Sequence, residues 1–306
     1  MEENDNYEVV IVGGSYAGLS AAMTLGRAIR RVLLIDSGKP CNIQTPHAHN
    51  FLTQDGNTPA AISASGKSQV MAYPTVQFLN DQVTVVHGVD NNFQLSTLGG
   101  KEVSTKKIIF ATGIKDLMPD ITGFADCWGI SVIHCPYCHG YEYKGENTGI
   151  LINGDSAIEF GLLVKNWTDR LTIFTNGRST INQAHLTQLN AMEITVIEKK
   201  LRTIEHQDGY LANIIFDDGE SQSLNALYAR LPFEQHCQIP AKLGCVYNDL
   251  GYIRVDQFQK TSVPGIYAAG DNTSQLRSIS SAVAAGSAAG AFINKELITE
   301  SVKMSR

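Results

Sequence analysis

The segment VVIVGGSYAG, residues 9 to 18, carries the strongest fold signal in this sequence. It starts with four β-branched residues, which is typical of a buried strand, and ends in a glycine-rich turn. The next stretch, LSAAMTLGRAI (19–29), reads as a helix rich in small residues, and a second apolar strand at 32–35 ends at Asp36. The order strand, tight turn, helix, strand predicts a βαβ unit.

The glycine turn itself has the features of a dinucleotide site. Gly13 and Gly18 match the outer glycines of the dinucleotide fingerprint, while Ser15 replaces the middle one. Gly13 would permit the tight turn and Gly18 the close packing of helix on strand, with the helix N-terminus facing a pyrophosphate. Asp36 follows at the end of the next strand, where a carboxylate can accept ribose hydroxyls. Nucleotide binding is therefore favoured over a plain packing turn.

The same order of elements recurs later in the chain. A strand at 149–152, a helix at 153–167 and a strand at 171–175 form a second unit of this kind. Further strand candidates lie at 84–87, 107–111, 211–216, 251–255 and 265–271. The final helix, at 276–297, is built largely of Ala, Ser and Gly, which suits close packing against another backbone.

The predicted fold class is α/β, with two Rossmann-like three-layer nucleotide-binding domains, the second inserted into the first. Proline and glycine near 117–123 and 243–251 mark the expected crossings. The predicted division assigns 1–117 and 248–306 to the first domain and 118–247 to the inserted one.

Bulk properties exclude some classes of function. The hydrophobic share of 43%, the charged share of 18% and the net charge of −6 are those of an ordinary globular protein without a basic surface for nucleic acid. No segment has the roughly 20 apolar residues needed to cross a bilayer, and the acidic start lacks a leader pattern. A cytoplasmic protein with no nucleic-acid or membrane partner is expected.

Two of the six cysteines form a distinct motif, HCPYCHG (134–140), and the other four stand alone. A structural zinc site needs four ligands, and Cys135 with Cys138 supplies half of them. His236 and Cys237 offer a poor second half, so no metal site is expected. A redox pair is favoured, because two intervening residues let the sulfurs meet at a helix start, where Pro136 is accepted and the dipole favours a thiolate at Cys135.

Taken together, GGSYAG, the ATG at 111–113, CPYC at 135–138 and AAGD at 268–271 resemble the low-molecular-weight thioredoxin reductase family. The resemblance implies a homodimer in which the outer domain holds FAD and the inserted, NAD(P)H-binding-like domain carries the cysteine pair. It also implies that Cys138 exchanges electrons with the flavin and that Cys135 meets the substrate. The residues it assigns to FAD are Gly13, Ser15, Tyr16, Ala17, Gly18, Asp36, Ser37, Asn50, Thr112, Gly113, Gly270, Asp271 and Arg277.

His134 and His139 flank the cysteine pair in sequence, and two more histidines lie in the HAHN segment (47–50). His139 stands where thioredoxin reductases commonly carry an aspartate, and an imidazole can move protons near neutrality, although a structural role is equally open. His47 and His49 are interpreted as polar loop residues rather than catalytic ones.

The second glycine turn departs from the family pattern. It reads Ile152-Asn153-Gly154-Asp155, and the His-Arg-Arg cluster that clamps a 2′-phosphate is replaced by Thr175-Asn176-Gly177-Arg178. NAD(P)H binding is therefore uncertain. CPYCHG and the TNG at 175–177 also resemble the dithiol oxidase branch, in which electrons run from substrate thiols through FAD to dioxygen.

Three functional hypotheses follow. The leading one is a FAD-dependent dithiol/disulfide oxidoreductase, with a thioredoxin-like protein as the family's default partner. The second is an oxidase that closes a disulfide in a small dithiol with dioxygen as acceptor. The third, from another class, is a non-catalytic nucleotide- or zinc-binding protein.

Overall fold

The computed structural model describes residues 6–304 of the chain, so most of the acidic start discussed above lies outside the described residues. The strands are β1 Asn6–Val12, β2 Val32–Asp36, β3 Val76–Asn80, β4 Val83–Val89, β5 Asn92–Thr97, β6 Glu102–Phe110, β7 Ile114–Asp116, β8 Val132–Ile133, β9 Thr148–Leu151, β10 Leu171–Phe174, β11 Thr195–Ile197, β12 Leu201–Gln207, β13 Tyr210–Phe216, β14 Ser221–Ser223, β15 Ala226–Ala229, β16 Phe233–Gln235 and β17 Ile266–Ala268. The helices are α1 Tyr16–Arg27, α2 Pro59–Met71, α3 Phe124–Cys127, α4 Pro136–His139, α5 Ser156–Lys165, α6 Gln183–Ala191, α7 Ile239–Lys242 and α8 Ile279–Met304.

The chain divides into two compact units. The first contains residues 1–43, 60–115 and 233–306, and the second contains 44–59 and 116–232. The main body of the second unit is thus an insertion in the sequence of the first. Among residues 6–304, no helix has both the length and the apolar character needed to cross a bilayer.

The first unit is built on a sheet of order β3-β2-β1-β6-β5-β4, with β17 also pairing with β6. Strands β3, β2, β1, β6 and β17 run parallel, whereas β5 pairs antiparallel with β4 and with the first half of β6. Val9 and Ile11 of β1 lie in a core with α1 and α8, and Val10 and Val12 lie in a second core on the opposite face. The uninterrupted apolar run of β1 reflects burial on both faces of a parallel sheet.

The second unit repeats this plan with a five-stranded parallel sheet of order β11-β10-β9-β15-β8. One core lies between this sheet and α5 and α6, and another contains residues of the antiparallel sheet β12-β13-β14. The predicted α/β class with two Rossmann-like domains is confirmed.

The domain limits differ from the expected ones. The return to the first unit lies between residues 232 and 233, because Ile239 and Cys245 are buried in the core that contains Val83. The punctuation at 243–251 marks turns inside the first unit rather than a crossing. Residues 44–59 group with the second unit, where the Gln44 amide donates a 3.1 Å hydrogen bond to the Ala125 carbonyl.

One strand prediction was wrong, and the predicted final helix starts slightly later than expected. Residues 251–255 form no strand, and Ile253 makes only an isolated bridge with Tyr247 among the described residues. The final helix begins at Ile279 because Ser278 caps it, its hydroxyl accepting from the Ser281 N–H at 3.1 Å. Its predicted close packing is confirmed: the Ser20 hydroxyl of α1 donates to the Val283 carbonyl of α8 at 2.7 Å.

Candidate active site

The first glycine turn joins β1 to α1 at the carboxyl end of the parallel sheet. Gly13 has φ +106°, and a Cβ there would lie 2.3 Å from the Ala111 carbonyl oxygen. A Cβ on Gly18 would lie 1.9 Å from the Gly13 carbonyl oxygen. Both positions therefore require glycine, the first for its backbone conformation and the second for the close contact of helix and turn.

Asp36, the last residue of the neighbouring strand β2, accepts hydrogen bonds from the backbone of this turn and of the loop after β2. Its Oδ1 accepts from the Gly14 N–H at 2.8 Å and its Oδ2 from the Gly38 N–H at 3.1 Å. A Cβ on Gly14 would lie 2.7 Å from the Cβ of Asp36. Gly14 was not among the predicted site residues, although its place between Gly13 and Ser15 was the available signal.

The residues predicted for FAD are divided between the two units. All except Asn50 belong to the first unit, and they follow β1, β2, β6 and β17 or lie at the start of α1: Gly13, Ser15, Tyr16, Ala17, Gly18, Asp36, Ser37, Thr112, Gly113, Gly270, Asp271 and Arg277. Asn50 belongs to the second unit, with φ +59° and its N–H donating to Asp55.

Side chains after β6 and β17 add polar groups to the same edge of the sheet. The Thr112 hydroxyl oxygen is buried and has no hydrogen-bond partner within residues 6–304. Asp271 lies 3.7 Å from the Arg277 Nε. Asn272, which the sequence did not single out, is fully buried and donates to the Phe110 carbonyl at 2.8 Å.

These features fit a dinucleotide cofactor. The turn leaves no room for a side chain at Gly13 or Gly18, so a pyrophosphate can approach the backbone at the start of α1. Asp36 stands where ribose hydroxyls would bind, and the buried Thr112 hydroxyl offers an unused polar group. The residues of the first unit that would hold FAD are therefore those of this edge.

Cys135 and Cys138 are joined in a disulfide, with Cα atoms 5.3 Å apart. Cys135 is the N-cap of α4 and Pro136 occupies its first turn, as predicted. α4 has only four residues, so the helix-dipole contribution to a thiolate at Cys135 is smaller than the sequence argument assumed. The bond between the two sulfurs supports the redox interpretation of this motif over the zinc one.

His139 ends α4 and lies against a second histidine. Both of its ring nitrogens are buried and lack a hydrogen-bond partner within residues 6–304. Burial lowers the pKa of His139 to about 4, with a smaller contribution from the charge of His49. The imidazole is therefore neutral at pH 7. The ring of His49 meets it edge-on, with centroids 6.5 Å apart.

His49 is the functional candidate that sequence reasoning undervalued. Its Nδ1 lies 3.6 Å from Asp55 and its Nε2 lies 3.5 Å from Glu142. Its neighbour His47 is exposed, and its Nδ1 contacts the Gly56 carbonyl at 2.9 Å, as expected of a polar loop residue. No sequence spacing links residue 49 to residue 139, so only their proximity in the folded unit identifies the pair.

The second glycine turn is filled by its own side chains. The Asn153 Oδ1 accepts from the Gly154 and Thr180 N–H groups at 2.9 and 2.8 Å, and its Nδ2 donates to the Arg178 carbonyl at 2.9 Å. These bonds tie the loop after β9 to the loop after β10. In a doubly wound fold, this is the crevice in which a dinucleotide binds.

Asp155 adds a negative charge at the start of α5. Its Oδ1 accepts from the Asn182 N–H at 2.9 Å and from the Asn182 side-chain amide at 2.8 Å. These hydrogen bonds hold the pKa of Asp155 below its ordinary value. An ionised carboxylate at the helix N-terminus opposes a pyrophosphate there, so this turn does not fit the usual mode of NAD(P)H binding.

The chain is similar to known proteins over nearly its whole length. The model of the pyridine nucleotide-disulphide oxidoreductase family matches residues 7–288. The thioredoxin reductase tcpT of Claviceps purpurea is 29% identical, over 98% of this chain and 97% of its own length. Among solved structures, an oxidoreductase from Agrobacterium tumefaciens is 34% identical with a TM-score of 0.90, covering 96% of this chain and 99% of its own. The structure of HlmI is 31% identical with a TM-score of 0.92, covering 100% of this chain and 96% of its own.

The family match extends over both units and includes the glycine turn and the cysteine pair. Together with the site geometry, it identifies an enzyme and sets aside the hypothesis of a non-catalytic binding protein. This chain is a FAD-dependent, thioredoxin reductase-like oxidoreductase and belongs to the pyridine nucleotide-disulphide oxidoreductase family.

Proposed function

We propose that this enzyme oxidises a dithiol substrate and passes the electron pair through Cys135 and Cys138 to FAD and then to dioxygen. The observation that supports this direction is the second glycine turn, where Asn153 and Asp155 occupy the crevice in which a nicotinamide dinucleotide would bind. An enzyme that does not use a nicotinamide needs another reductant. A dithiol can deliver its electrons directly to the Cys135–Cys138 disulfide.

The exchange is a balanced two-electron step. A substrate thiolate attacks the Sγ of Cys135, the Cys135–Cys138 bond breaks, and Cys138 leaves as a thiolate. The second substrate thiolate then attacks the substrate's own sulfur in the mixed disulfide, which closes the substrate disulfide and releases Cys135 as a thiolate. The substrate is now a disulfide, the cysteine pair is reduced, and two protons have left the substrate thiols.

In this proposal, His139 accepts protons from the substrate thiols. It follows Cys138 directly and is neutral at pH 7, so its imidazole can accept a proton from a thiol. When bound, FAD supplies the two-electron acceptor for the reduced cysteine pair and the donor to dioxygen, which becomes hydrogen peroxide. The proposed FAD-binding residues are those at the carboxyl edge of the first unit's sheet, together with Asn50.

A second direction, reduction of a thioredoxin-like protein, is supported by the name of the Claviceps purpurea relative, a thioredoxin reductase. It requires an electron donor that reaches FAD without the usual nicotinamide contacts. A homodimer, implied by the family resemblance, is part of the proposal in either direction and is checked by sedimentation of the holoenzyme.

Anaerobic stopped-flow mixing separates the two directions. The oxidised holoenzyme is mixed in turn with dithiothreitol, NADPH and NADH, and the flavin absorbance is followed. We expect dithiothreitol to bleach the flavin, and oxygen to restore its colour with one hydrogen peroxide per dithiol. Bleaching by NADPH or NADH at a rate that matches turnover, with none by dithiothreitol, would overturn the proposal.

A further inference from the structure

The ring nitrogens of His139 are shielded from solvent, although the residue as a whole is only half-buried. Both nitrogens are buried without hydrogen-bond partners in the described part of the chain, yet a group that accepts protons from thiols must discharge them after each turnover. A neutral imidazole with a pKa of about 4 binds a proton only briefly. The proton therefore needs a neighbouring acceptor.

His49 is the titratable ring that faces His139. Their centroids lie 6.5 Å apart in an edge-on arrangement, a separation that one water molecule can bridge. His49 is partly exposed, with 21% of its side chain accessible, and it contacts carboxylates that reach solvent. Asp55 lies on one side of its ring, at Nδ1, and Glu142 lies on the other, at Nε2.

The other titratable side chains near the pair make different contacts. His47 lies 6.4 Å from His49, ring to ring, but its Nδ1 contacts the Gly56 carbonyl. His134, before the cysteine pair, stacks on Trp128 at 6.0 Å. Cys135 and Cys138 form the disulfide that reacts with the substrate thiols, which are the source of the protons. His49 is thus the ring that has both a contact with His139 and carboxylate partners.

We propose that His49 is a positioning residue that relays protons between His139 and solvent through the Asp55 and Glu142 carboxylates. The proposal rests on the thiol–disulfide exchange described above, and it holds for either direction of electron flow. During dithiol oxidation, a proton leaves a substrate thiol for the His139 ring, passes to the His49 ring, and leaves through Glu142 or Asp55 to water. During disulfide reduction the same proton moves inward.

The charge on one ring affects the other. A positive charge on His49 disfavours protonation of His139, since like charges at this distance repel in a partly dehydrated site. Asp55 and Glu142 contact the two ring nitrogens of His49, so each carboxylate is placed to accept a proton from that ring. Coupling of the two titrations is the signature of the relay.

The first test measures this coupling without activity. The titration of the His139 ring is followed by NMR in the oxidised holoenzyme, in wild type, His49→Gln and the matched loop control His47→Gln. We expect the His139 pKa to rise in His49→Gln and to stay unchanged in His47→Gln. An identical His139 titration in all three proteins would overturn the proposal, whatever the substrate proves to be.

The second test measures proton transfer. In stopped-flow reduction by dithiothreitol, we expect His49→Ala to lower the rate by about tenfold, less than the ~10²–10⁴ of a direct acid–base group. Added imidazole should restore much of that rate in His49→Ala and leave wild type and His47→Gln unchanged. A slow variant that imidazole does not rescue would indicate a structural role and refute the relay. Failure of wild type itself to react with the dithiol would instead refute the proposed function, and the NMR titration would still decide the relay.

Discussion

Single residues set the chemistry of this enzyme. The disulfide needs its two cysteines at a spacing of three residues, and His139 follows them without an intervening position. Burial of His139 is what separates it from an ordinary histidine, because removal of water from the ring disfavours its charged form.

Replacement of Cys138 by serine tests the redox assignment. We expect the variant to fold and keep FAD, since all the residues predicted for FAD except Asn50 belong to the first unit, while dithiol turnover falls by roughly a thousand-fold or more. Flavin absorbance of the purified protein and peroxide release measure the two effects. Cys41→Ser, at an exposed cysteine outside the disulfide, is the control and should retain full turnover. Normal turnover by Cys138→Ser would contradict the assignment.

The low pKa of His139 predicts a pH dependence of stability. The folded chain keeps the ring neutral down to about pH 4, whereas the unfolded chain protonates it below its ordinary value of 6.5. The unfolded state therefore binds more protons in this interval, and the free energy of unfolding falls as the pH drops from 6.5 to 4, by on the order of 1–3 kcal/mol. Below about pH 4 this contribution changes no further.

Urea unfolding at pH 7.5 and pH 4.5 checks this prediction. In His139→Phe the acid-dependent loss should shrink by that amount, because the titrating group is gone. His47→Gln, at an exposed ring, should keep the wild-type pH dependence. An equal loss in wild type and His139→Phe would show that the ring is hydrated and titrates normally.

At the level of helices and strands, the contact between α1 and α8 holds the glycine turn in place. A Cβ on Gly286 of α8 would lie 2.0 Å from the Ala17 carbonyl oxygen, next to the turn at Gly18. The small residues of α8 are therefore needed where the two backbones touch, and the composition of this helix was a correct guide to its packing.

Gly286→Ala should push α8 away from α1. We expect a loss of about 1–3 kcal/mol in the free energy of unfolding and weaker retention of FAD, because the turn moves with the helix. Gly66→Ala, in α2, is the control: its added Cβ would meet only Leu19 Cδ1, at 3.4 Å. This control should be neutral or up to about 1 kcal/mol more stable. Thermal unfolding and flavin release measure both variants, and equal behaviour would contradict the packing argument.

At the scale of the whole molecule, the first unit is assembled from chain segments that lie on both sides of the insertion in sequence. Lys107 of β6 is fully buried, and its Nζ binds Asp90 at 2.7 Å, Glu296 at 2.9 Å and Glu300 at 2.6 Å. Glu296 and Glu300 come from α8, after the insertion, so this cluster joins segments 60–115 and 233–306. Lys260 and Tyr267 also bind Glu296.

Lys107→Met should destabilise the first unit by about 3–5 kcal/mol, because it leaves partly buried carboxylates without their cation. Lys106→Met, at the exposed neighbouring position, should change stability by no more than about 0.5 kcal/mol. Thermal unfolding of the holoenzymes compares them, and a small effect at both positions would show that water reaches the cluster.

The same cluster makes the free energy of unfolding depend on pH under acidic conditions. Burial alone would raise the pKa of Glu296, but its hydrogen bonds to Lys260, Lys107 and Tyr267 more than offset this and lower it to about 2. Its stabilising contribution is present above the ordinary value of 4.5 and is lost as the pH falls from there through about 2. The Glu296→Gln variant should therefore lose less stability than wild type over this interval.

Local patterns were enough to predict the α/β class, both βαβ units, the cysteine pair and the glycine turn. Each of these depends on residues close in sequence, through strand and helix periodicity or backbone conformation. The return to the first unit at 232–233, the grouping of residues 44–59 with the second unit, the filling of the second glycine turn and the pairing of His49 with His139 were decided by the folded chain. They depend on packing and hydrogen bonding between residues far apart in sequence, and no local spacing encodes such contacts.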